Sequence, residues 1–338
     1  MKQIVRADNN ACGHFRMIWP AEALIANGDN EIINTRSVFA KHPTTHSYFQ
    51  RVGEQKIFDI FKDIDGKKIV DYDDMIFKMY GEGYPSYNFV ASHNNIEKST
   101  KAFFDNMDKI DTITTSTEFL KKAIMDNFGY AAIKVIPNFL PRWIYHFDRC
   151  ETLAKKPRVL YAGGLTHYGQ DGKDTGDFSK PVIEFLRKNI DKIELVFIGP
   201  VPWFLSDLKS KIYSVPFVNI LNFPRLLKNL DADFYLAPLK ENIFNKCKSN
   251  LKYLEACAIG SVCIGSVFPD SPYSMIHDAC QIRDNMTADD ISKMFWNMNN
   301  PNNWRYIIDY QYKYINTMWL ENNIGLYESL LSVDKVSI

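Results

Sequence analysis

Short apolar runs alternate with longer amphipathic stretches along most of the chain. In the first half the apolar runs predict strands, and the stretches between them, where apolar residues recur every three or four positions, predict helices. The predicted strands are residues 3–7, 31–34, 47–52, 68–72, 112–115 and 132–136, and the predicted helices are 19–26, 54–63, 95–107 and 118–127. Such alternation is typical of a mainly parallel sheet with helices on both faces.

The same alternation begins again after residues 141–157, which contain two prolines and lack a clear period. Strands are predicted at 158–162, 194–198, 218–221, 234–237, 262–264 and 281–282, and helices at 181–188, 204–211, 226–230, 251–258 and 288–298. The tail from Trp304 to about Leu331 predicts one long amphipathic helix or a kinked pair, although Gln311 interrupts its apolar stripe.

These elements predict an α/β chain of two doubly wound, Rossmann-like domains with a cleft between them. The predicted domains are residues 1–150 and 151–302, and a helical segment, 303–338, is expected to cross back and pack on the first domain. Ligands are expected between the carboxyl ends of the two sheets.

Polar residues collect at one point of the second domain, in the loop between the strand at 234–237 and the helix at 251–258. Anionic ligands bind at such points because free backbone N–H groups and the positive end of the helix dipole face them. The loop is rich in Asn and Lys, which favours an anion such as a diphosphate. The alternative is a solvated loop in which Ser249 or Asn250 merely caps the helix.

Overall charge and cysteine content narrow the choice of partners. The 338 residues include 40 basic and 40 acidic side chains, and this zero net charge gives no support to nucleic-acid binding. The cysteines form no CxxC pair, which favours buried thiols in a reducing cytoplasm. No signal peptide or membrane-spanning apolar run is apparent, so we expect a soluble protein without integral membrane contact.

Two loops of the first domain carry candidate chemistry. Gly13, His14 and Arg16 follow the first strand in a glycine loop that is not GxGxxG, and this loop is a candidate to face the cleft or the acceptor. A tight turn with a solvated Arg16 is the alternative. Asp71, Asp73 and Asp74 lie at the end of the strand at 68–72. Carboxylates that repel one another have a raised pKa, which suits a general base, and the DxD pattern can also hold a divalent cation. Strand-end or helix-capping residues are the alternative.

Further candidates follow elsewhere. Gly163 and Gly164 come directly after a predicted strand, where free backbone N–H groups can hold phosphate, and His167 is a nearby donor. His93 is a candidate base or sugar ligand, although a lone histidine is more often structural.

Several of these segments, in their order along the chain, resemble one known family. NIFNKCKSNLKYLEACAIGSVCIGS is similar to the donor-binding region of GT-B glycosyltransferases of the "glycosyl transferases group 1" type. CGHFRMIWP, IVDYDDMIF, ITTSTEFL, VIPN and LYAGGLTHYGQD resemble further motifs of a branch found in bacteria and their phages. The resemblance implies a GT-B fold, with a nucleotide-sugar donor held mainly by the second domain and the acceptor by the first.

The resemblance also implies roles for single residues. Glu255 would bind the ribose hydroxyls, and the Gly163–Gly164 loop with Lys246 or Lys248 would neutralise the diphosphate, so that no metal cofactor is required. Many retaining members have a second glutamate where this chain has Cys247; Asn245 and Asn250 are the candidates to replace it. Asp73 or Asp74 would be the base of an inverting enzyme, whereas a retaining enzyme needs no protein nucleophile.

The acceptor is open at this point. The compact, phage-like chain favours hydroxymethylcytosine in double-stranded DNA, inside the host cytoplasm, and such a base would have to leave the stack. The alternatives are transfer to a cell-surface polysaccharide or lipid-linked glycan, and a non-catalytic nucleotide-sugar-binding protein. A nicotinamide-dependent oxidoreductase is a further alternative, which the missing GxGxxG loop disfavours.

Overall fold

The computed structural model describes residues 1–37, 43–77, 90–146, 153–169 and 174–332, with the side chains of 90–95 left out. Its described strands form two parallel six-stranded sheets. The first has the order β2-β1-β3-β4-β5-β6, with β1 Lys2–Val5, β2 Ile32–Thr35, β3 His46–Gln50, β4 Lys67–Tyr72, β5 Thr112–Thr115 and β6 Ile133–Val135. The second has the order β12-β11-β10-β7-β8-β9, with β7 Arg158–Ala162, β8 Glu194–Ile198, β9 Ile212–Val215, β10 Phe234–Ala237, β11 Val262–Ser266 and β12 Gln281–Ile282.

Helices cover both sheets, as predicted from the alternating pattern. They are α1 Ala11–Gly13, α2 Trp19–Ala26, α3 Gln55–Ile60, α4 Val90–Phe104, α5 Glu118–Phe128, α6 Arg142–Tyr145, α7 Lys180–Asn189, α8 Phe223–Leu230, α9 Ile243–Lys246, α10 Leu251–Ile259, α11 Ala288–Met298, α12 Pro301–Thr317 and α13 Leu320–Leu331. A π-helical turn, His14–Ile18, joins α1 to α2, and Trp203–Lys211 is a 3-10 helix.

Local chemistry explains where these helices begin and end. The Thr117 side chain accepts a hydrogen bond from the backbone N–H of Leu120 and caps α5. Gly260 ends α10 with φ of 74°, a left-handed conformation that favours glycine, as the sequence predicted.

The tail is the kinked pair that was one of the two predicted forms. It breaks between α12 and α13, where Trp319 pairs with Leu140. Gln311, which interrupts the apolar stripe, is buried and bonds with its side chain to the backbone of Ser261 and Cys263 at the start of β11. Helix α13 reaches the first domain, where Glu328 accepts a hydrogen bond from Asn27. The limits 1–150, 151–302 and 303–338 stay predictions.

One predicted strand was wrong. Residues 218–221 are a loop, and the edge strand is β9, which precedes them. Apolar side chains misled the prediction here because Val218 and Leu221 are exposed on the surface instead of buried in the sheet. The break at 141–157 contains the short helix α6, whose Tyr145 is buried in the core.

Candidate active site

The loop before α10 crosses from the second domain to the first. The Cys247 thiol lies 3.9 Å from the Met75 sulfur, and the Thr117 hydroxyl donates to the Cys247 carbonyl oxygen at 3.2 Å. Asn138 donates to the Ser249 hydroxyl oxygen at 2.9 Å. Since Met75, Thr117 and Asn138 follow neighbouring strands, the carboxyl ends of the two sheets face each other across a cleft that this loop borders.

Cys247 stands where the resemblance expects a glutamate, and it belongs to the contact between domains. Its side chain is fully buried among the apolar residues of the first domain. Burial raises the pKa of its thiol, and the Asp74 carboxylate raises it further, so the thiol stays neutral. Cys247 therefore acts as a packing residue and offers no charge to a sugar hydroxyl.

Arg16 and Asp71 form a buried ion pair inside the first domain. The guanidinium makes two hydrogen bonds to the Asp71 carboxylate, at 2.6 and 3.0 Å, and a third to the Ile136 carbonyl oxygen at 2.6 Å. Both side chains are completely buried. Tyr48 and Thr114 also donate to Asp71. This corrects the prediction of a cleft-facing Arg16: the pair joins β4 to the first loop and to the end of β6.

Asp73 and Asp74 are adjacent, but their environments shift the pKa values of their carboxyl groups in opposite directions. Arg51 donates to Asp73 at 2.5 Å and to the Cys12 sulfur at 3.2 Å. Burial alone would raise the pKa of Asp73, but the Arg51 charge and hydrogen bond leave that pKa below its usual value. Burial raises the pKa of Asp74, against the opposing charges of Arg51 and Lys248. Asp74 is therefore the stronger base and lies close enough to Lys248 to interact with it across the cleft.

The other candidates of the first domain are Gly13, His14 and His93. A Cβ on Gly13 would lie 2.1 Å from the Asp8 carbonyl oxygen, so this glycine permits a close backbone contact within the protein. His14 is buried, with its ring against Trp19 and its Nδ1 at 3.0 Å from the Asn10 carbonyl oxygen. His93 lies in α4, but its side chain falls outside the described residues, so its role stays a prediction.

Gly163 and Gly164, which follow β7, differ in the space that surrounds them. A Cβ on Gly163 would lie 2.2 Å from the Tyr161 hydroxyl, whereas a Cβ on Gly164 would meet nothing within 4 Å. Tyr161 cannot move aside easily, because its ring is fully buried and packs against Phe178 and Phe197. Gly163 therefore lets the loop lie on Tyr161, and Gly164 leaves space above the loop for a ligand.

We expect Gly163→Ala to destabilise the fold and Gly164→Ala to leave it intact. The clash with Tyr161 should cost about 1–3 kcal/mol, in the range of overpacked cores. Gly164→Ala adds a methyl group in open space and should change the free energy of unfolding by less than about 0.5 kcal/mol. Urea unfolding of both variants measures this difference. Equal losses in the free energy of unfolding would contradict the claim that Gly163 is enclosed and Gly164 is open.

A chain of hydrogen bonds runs from His167 through Asp177 to Asn245. His167 Nδ1 lies 2.7 Å from one Asp177 oxygen, and Asn245 donates to the other at 2.9 Å. Burial lowers the pKa of His167 to about 4, with Lys252 contributing, so the ring is neutral. Because Nδ1–H donates to Asp177, Nε2 is an acceptor, which suits a hydroxyl and differs from the predicted phosphate donor. The buried Asn245 Oδ1 has no hydrogen-bond partner within the described residues.

Lys246 and Asn250, in the loop before α10, line one cavity, whereas Lys248 lies elsewhere. Lys246 pairs with Glu241 at 2.9 Å and, with Asn250, lines a cavity of about 550 Å³ bordered by Tyr314. Asn250 donates to the Tyr314 hydroxyl at 2.9 Å and makes no side-chain cap for α10. Lys248 instead lies near Asp74, Asp177 and His167, and its ammonium lies 5.1 Å from the Phe244 ring centre. Among the described residues it has no ion-pair partner.

Glu255 is buried one turn into α10. The Tyr235 hydroxyl donates to its carboxylate at 3.3 Å. Burial raises the pKa of Glu255 to about 7, although Lys252 and the hydroxyls of Tyr235 and Tyr145 oppose the shift. Its role as a ribose ligand stays a prediction. No sequence pattern pointed to Lys252 or Arg51, because their contacts with Ala162 and Asp73 join residues that are far apart in the chain.

Across the described residues, no group of three or more His, Cys, Asp or Glu side chains is arranged to hold a metal ion. None of the described helices combines the length and the apolar character that crossing a membrane requires.

The known proteins that resemble this chain were found by their structures and not by their sequences. No family model matches the chain, and no curated protein matches its sequence. TarM matches with a TM-score of 0.60 and 13% identity over 84% of this chain and 54% of its own, so this chain spans about half of TarM. HepE from Anabaena, solved in complex with UDP, matches with a TM-score of 0.65 and 11% identity over 98% of this chain and 100% of its own.

A third solved structure is WaaG, a glycosyltransferase involved in lipopolysaccharide biosynthesis. It matches with a TM-score of 0.61 and 11% identity over 98% of both chains. At such identities the likeness shows the fold alone. The two facing parallel sheets and these neighbours confirm the predicted GT-B fold.

Proposed function

We propose that this protein is a glycosyltransferase that takes its sugar from a nucleotide sugar. The observation that carries the proposal is the cation of Lys248, whose charge acts on Asp74 of the first domain and on the His167–Asp177 pair of the second. A cation in a cleft, beside a glycine loop with open space above it, suits a diphosphate leaving group. The GT-B fold and the UDP held by HepE support the same ligand class.

The proposed reaction breaks the bond between the anomeric carbon and the diphosphate oxygen and forms one to an acceptor hydroxyl oxygen. Lys248 and the Gly163–Gly164 loop stabilise the negative charge on the departing diphosphate, so no metal is required. In an inverting reaction Asp74 accepts the hydroxyl proton, since its raised pKa makes it a better base than Asp73. Glu255 would bind the ribose.

The donor sugar needs hydrogen-bond partners that Cys247 does not supply. The Asn245 Oδ1 is a buried acceptor without a described partner, and His167 Nε2 is a second acceptor nearby. Both would accept from sugar or ribose hydroxyls, which are donors. We therefore retain Asn245 as the replacement for the missing glutamate and no longer propose Asn250, which bonds to Tyr314.

Replacing Lys248 by methionine should reduce turnover far more than stability. A charged hydrogen bond to the diphosphate contributes about 1.5–3 kcal/mol, so kcat/KM should fall roughly 10- to 100-fold. Because the ammonium has no ion pair among the described residues, thermal unfolding should shift little. Steady-state release of nucleoside diphosphate, with Lys188→Met on the surface of α7 as a matched control, measures the effect. A fall in stability that matches the fall in turnover would indicate a structural role.

The acceptor proposed from the sequence is hydroxymethylcytosine in double-stranded DNA of a phage, within the host cytoplasm. A cell-surface glycan is the second candidate, and the likeness to WaaG favours it. Labelled nucleotide sugars should be incubated with duplexes with and without hydroxymethylcytosine and with surface glycans. Transfer only to the modified duplex supports the first acceptor, and transfer only to a glycan supports the second. Binding without hydrolysis or transfer would favour a non-catalytic protein.

A further inference from the structure

Lys252, in the first turn of α10, places a second cation beside the Gly163–Gly164 loop. Its ammonium donates to the Ala162 carbonyl oxygen at 2.5 Å, directly before Gly163, and lies 4.5 Å from the centre of the Tyr161 ring. Tyr161 is the residue on which Gly163 rests. Lys252 therefore contacts both the backbone directly before the loop and the ring on which Gly163 rests.

The setting of Lys252 is unfavourable for a cation with only a structural task. An ammonium group has three N–H donors, and one of them bonds to Ala162. Within the described residues, no carboxylate forms an ion pair with it. The Asp177 and Glu255 carboxylates act on it only from beyond ion-pair distance. A buried charge without a direct ion pair destabilises the free protein, and such groups are common where a ligand supplies the opposite charge.

We propose that Lys252 positions the Gly163–Gly164 loop and, together with Lys248, makes the site selective for two phosphates over one. This inference rests on the proposed function. The diphosphate of a nucleotide sugar carries one negative charge on each phosphate. Lys248, in the loop before α10, acts with its charge on Lys252, in the first turn of α10, so the two cations are close neighbours. Lys248 lies in the loop before α10 and Lys252 bonds to the residue directly before Gly163, so each cation serves one phosphate.

The groups around Lys252 make this selectivity depend on pH. Burial, together with the charge of Lys248, lowers the pKa of Lys252 to about 8, against the opposing effects of Asp177, Glu255 and Cys263. His167, which Lys252 also faces, is neutral. Because only the ammonium form attracts phosphate, a bound diphosphate favours the protonated state. Diphosphate affinity should therefore be full below about pH 7 and fall as pH rises through about 8 to 9.

Calorimetry of uridine, UMP and UDP binding to the whole protein tests the proposal. If the protein prefers another base, the nucleoside, monophosphate and diphosphate of that base replace them. Lys252→Met should weaken diphosphate binding roughly 10- to 100-fold, with a much smaller effect on the monophosphate and none on the nucleoside. Wild-type affinity for the diphosphate should fall between about pH 7 and about pH 9, whereas Lys252→Arg, which stays charged, should show a flat profile.

The outcomes separate this inference from the proposed function. If the wild type binds no nucleoside diphosphate or nucleotide sugar, the proposed function fails, and the inference with it. If the wild type binds the diphosphate but Lys252→Met binds it equally well, the inference alone is overturned. If Lys252→Met does not fold, the pH profiles decide: a wild-type affinity that stays constant through pH 8 contradicts the role of Lys252.

Discussion

Replacing Arg16 by methionine is expected to lower the free energy of unfolding by about 3–5 kcal/mol, because it leaves the buried Asp71 carboxylate without its counter-ion. The guanidinium also bonds to the Ile136 carbonyl oxygen and to Asn138, so the substitution leaves several buried acceptors unsatisfied. Since a whole domain is typically stable by about 5–15 kcal/mol, this loss should bring the first domain close to unfolding.

Urea unfolding of the variant measures this loss, and Arg187→Met is the matched control. Arg187 makes a similar two-bond ion pair with Asp207, but on the protein surface. An exposed pair contributes about 0–1 kcal/mol, so the control should unfold almost like the wild type. Similar losses in the two variants would show that the burial of the Arg16–Asp71 pair does not determine its contribution.

The second large effect is expected at Asp74. Asp74→Asn should reduce kcat for sugar transfer by roughly 10²- to 10⁴-fold, the usual contribution of a general base, with little change in donor binding. Because Asp74 must be ionised to accept a proton and its pKa is raised, wild-type kcat should increase as pH rises through that pKa. Transfer kinetics against pH, in the wild type and the variant, measure both effects.

Asp73→Asn is the matched comparison. Arg51 holds the Asp73 carboxylate in an ion pair and lowers its pKa, so this residue is a poorer proton acceptor. Its replacement should therefore reduce kcat less than Asp74→Asn does. The reverse order would assign the base to Asp73, and full activity in both variants would favour a retaining reaction without a protein base.

The sequence predicted the sheet architecture well where strands are short, buried runs bounded by polar or turn residues. The limits of β5 and β10 agree with the prediction because Thr112–Thr115 and Phe234–Ala237 are closed by Ser116 and Pro238. The strand predicted at 218–221 was wrong because this apolar run has the pattern of a buried strand, whereas its Val218 and Leu221 side chains are exposed. Periodicity reports which residues are apolar but not whether the chain buries them.

The candidate site was predicted less completely, because its chemistry depends on contacts between distant residues. The acidic cluster at Asp73 and Asp74 was visible, but only the fold shows that Arg51, 22 positions away, pairs with one of them. Arg16 looked like a cleft residue in its loop, and its partner Asp71 lies 55 positions further on. The position of Cys247 against Met75 spans 172 positions and both domains.

The most direct test of the account is the release of nucleoside diphosphate from a panel of nucleotide sugars by the wild-type protein and by Lys248→Met. We predict that the wild type releases the diphosphate from at least one nucleotide sugar, faster when an acceptor is present. Lys248→Met, equally folded, should be slower by roughly 10- to 100-fold. No release and no binding with any nucleotide sugar, or equal rates for the two proteins, would contradict the account.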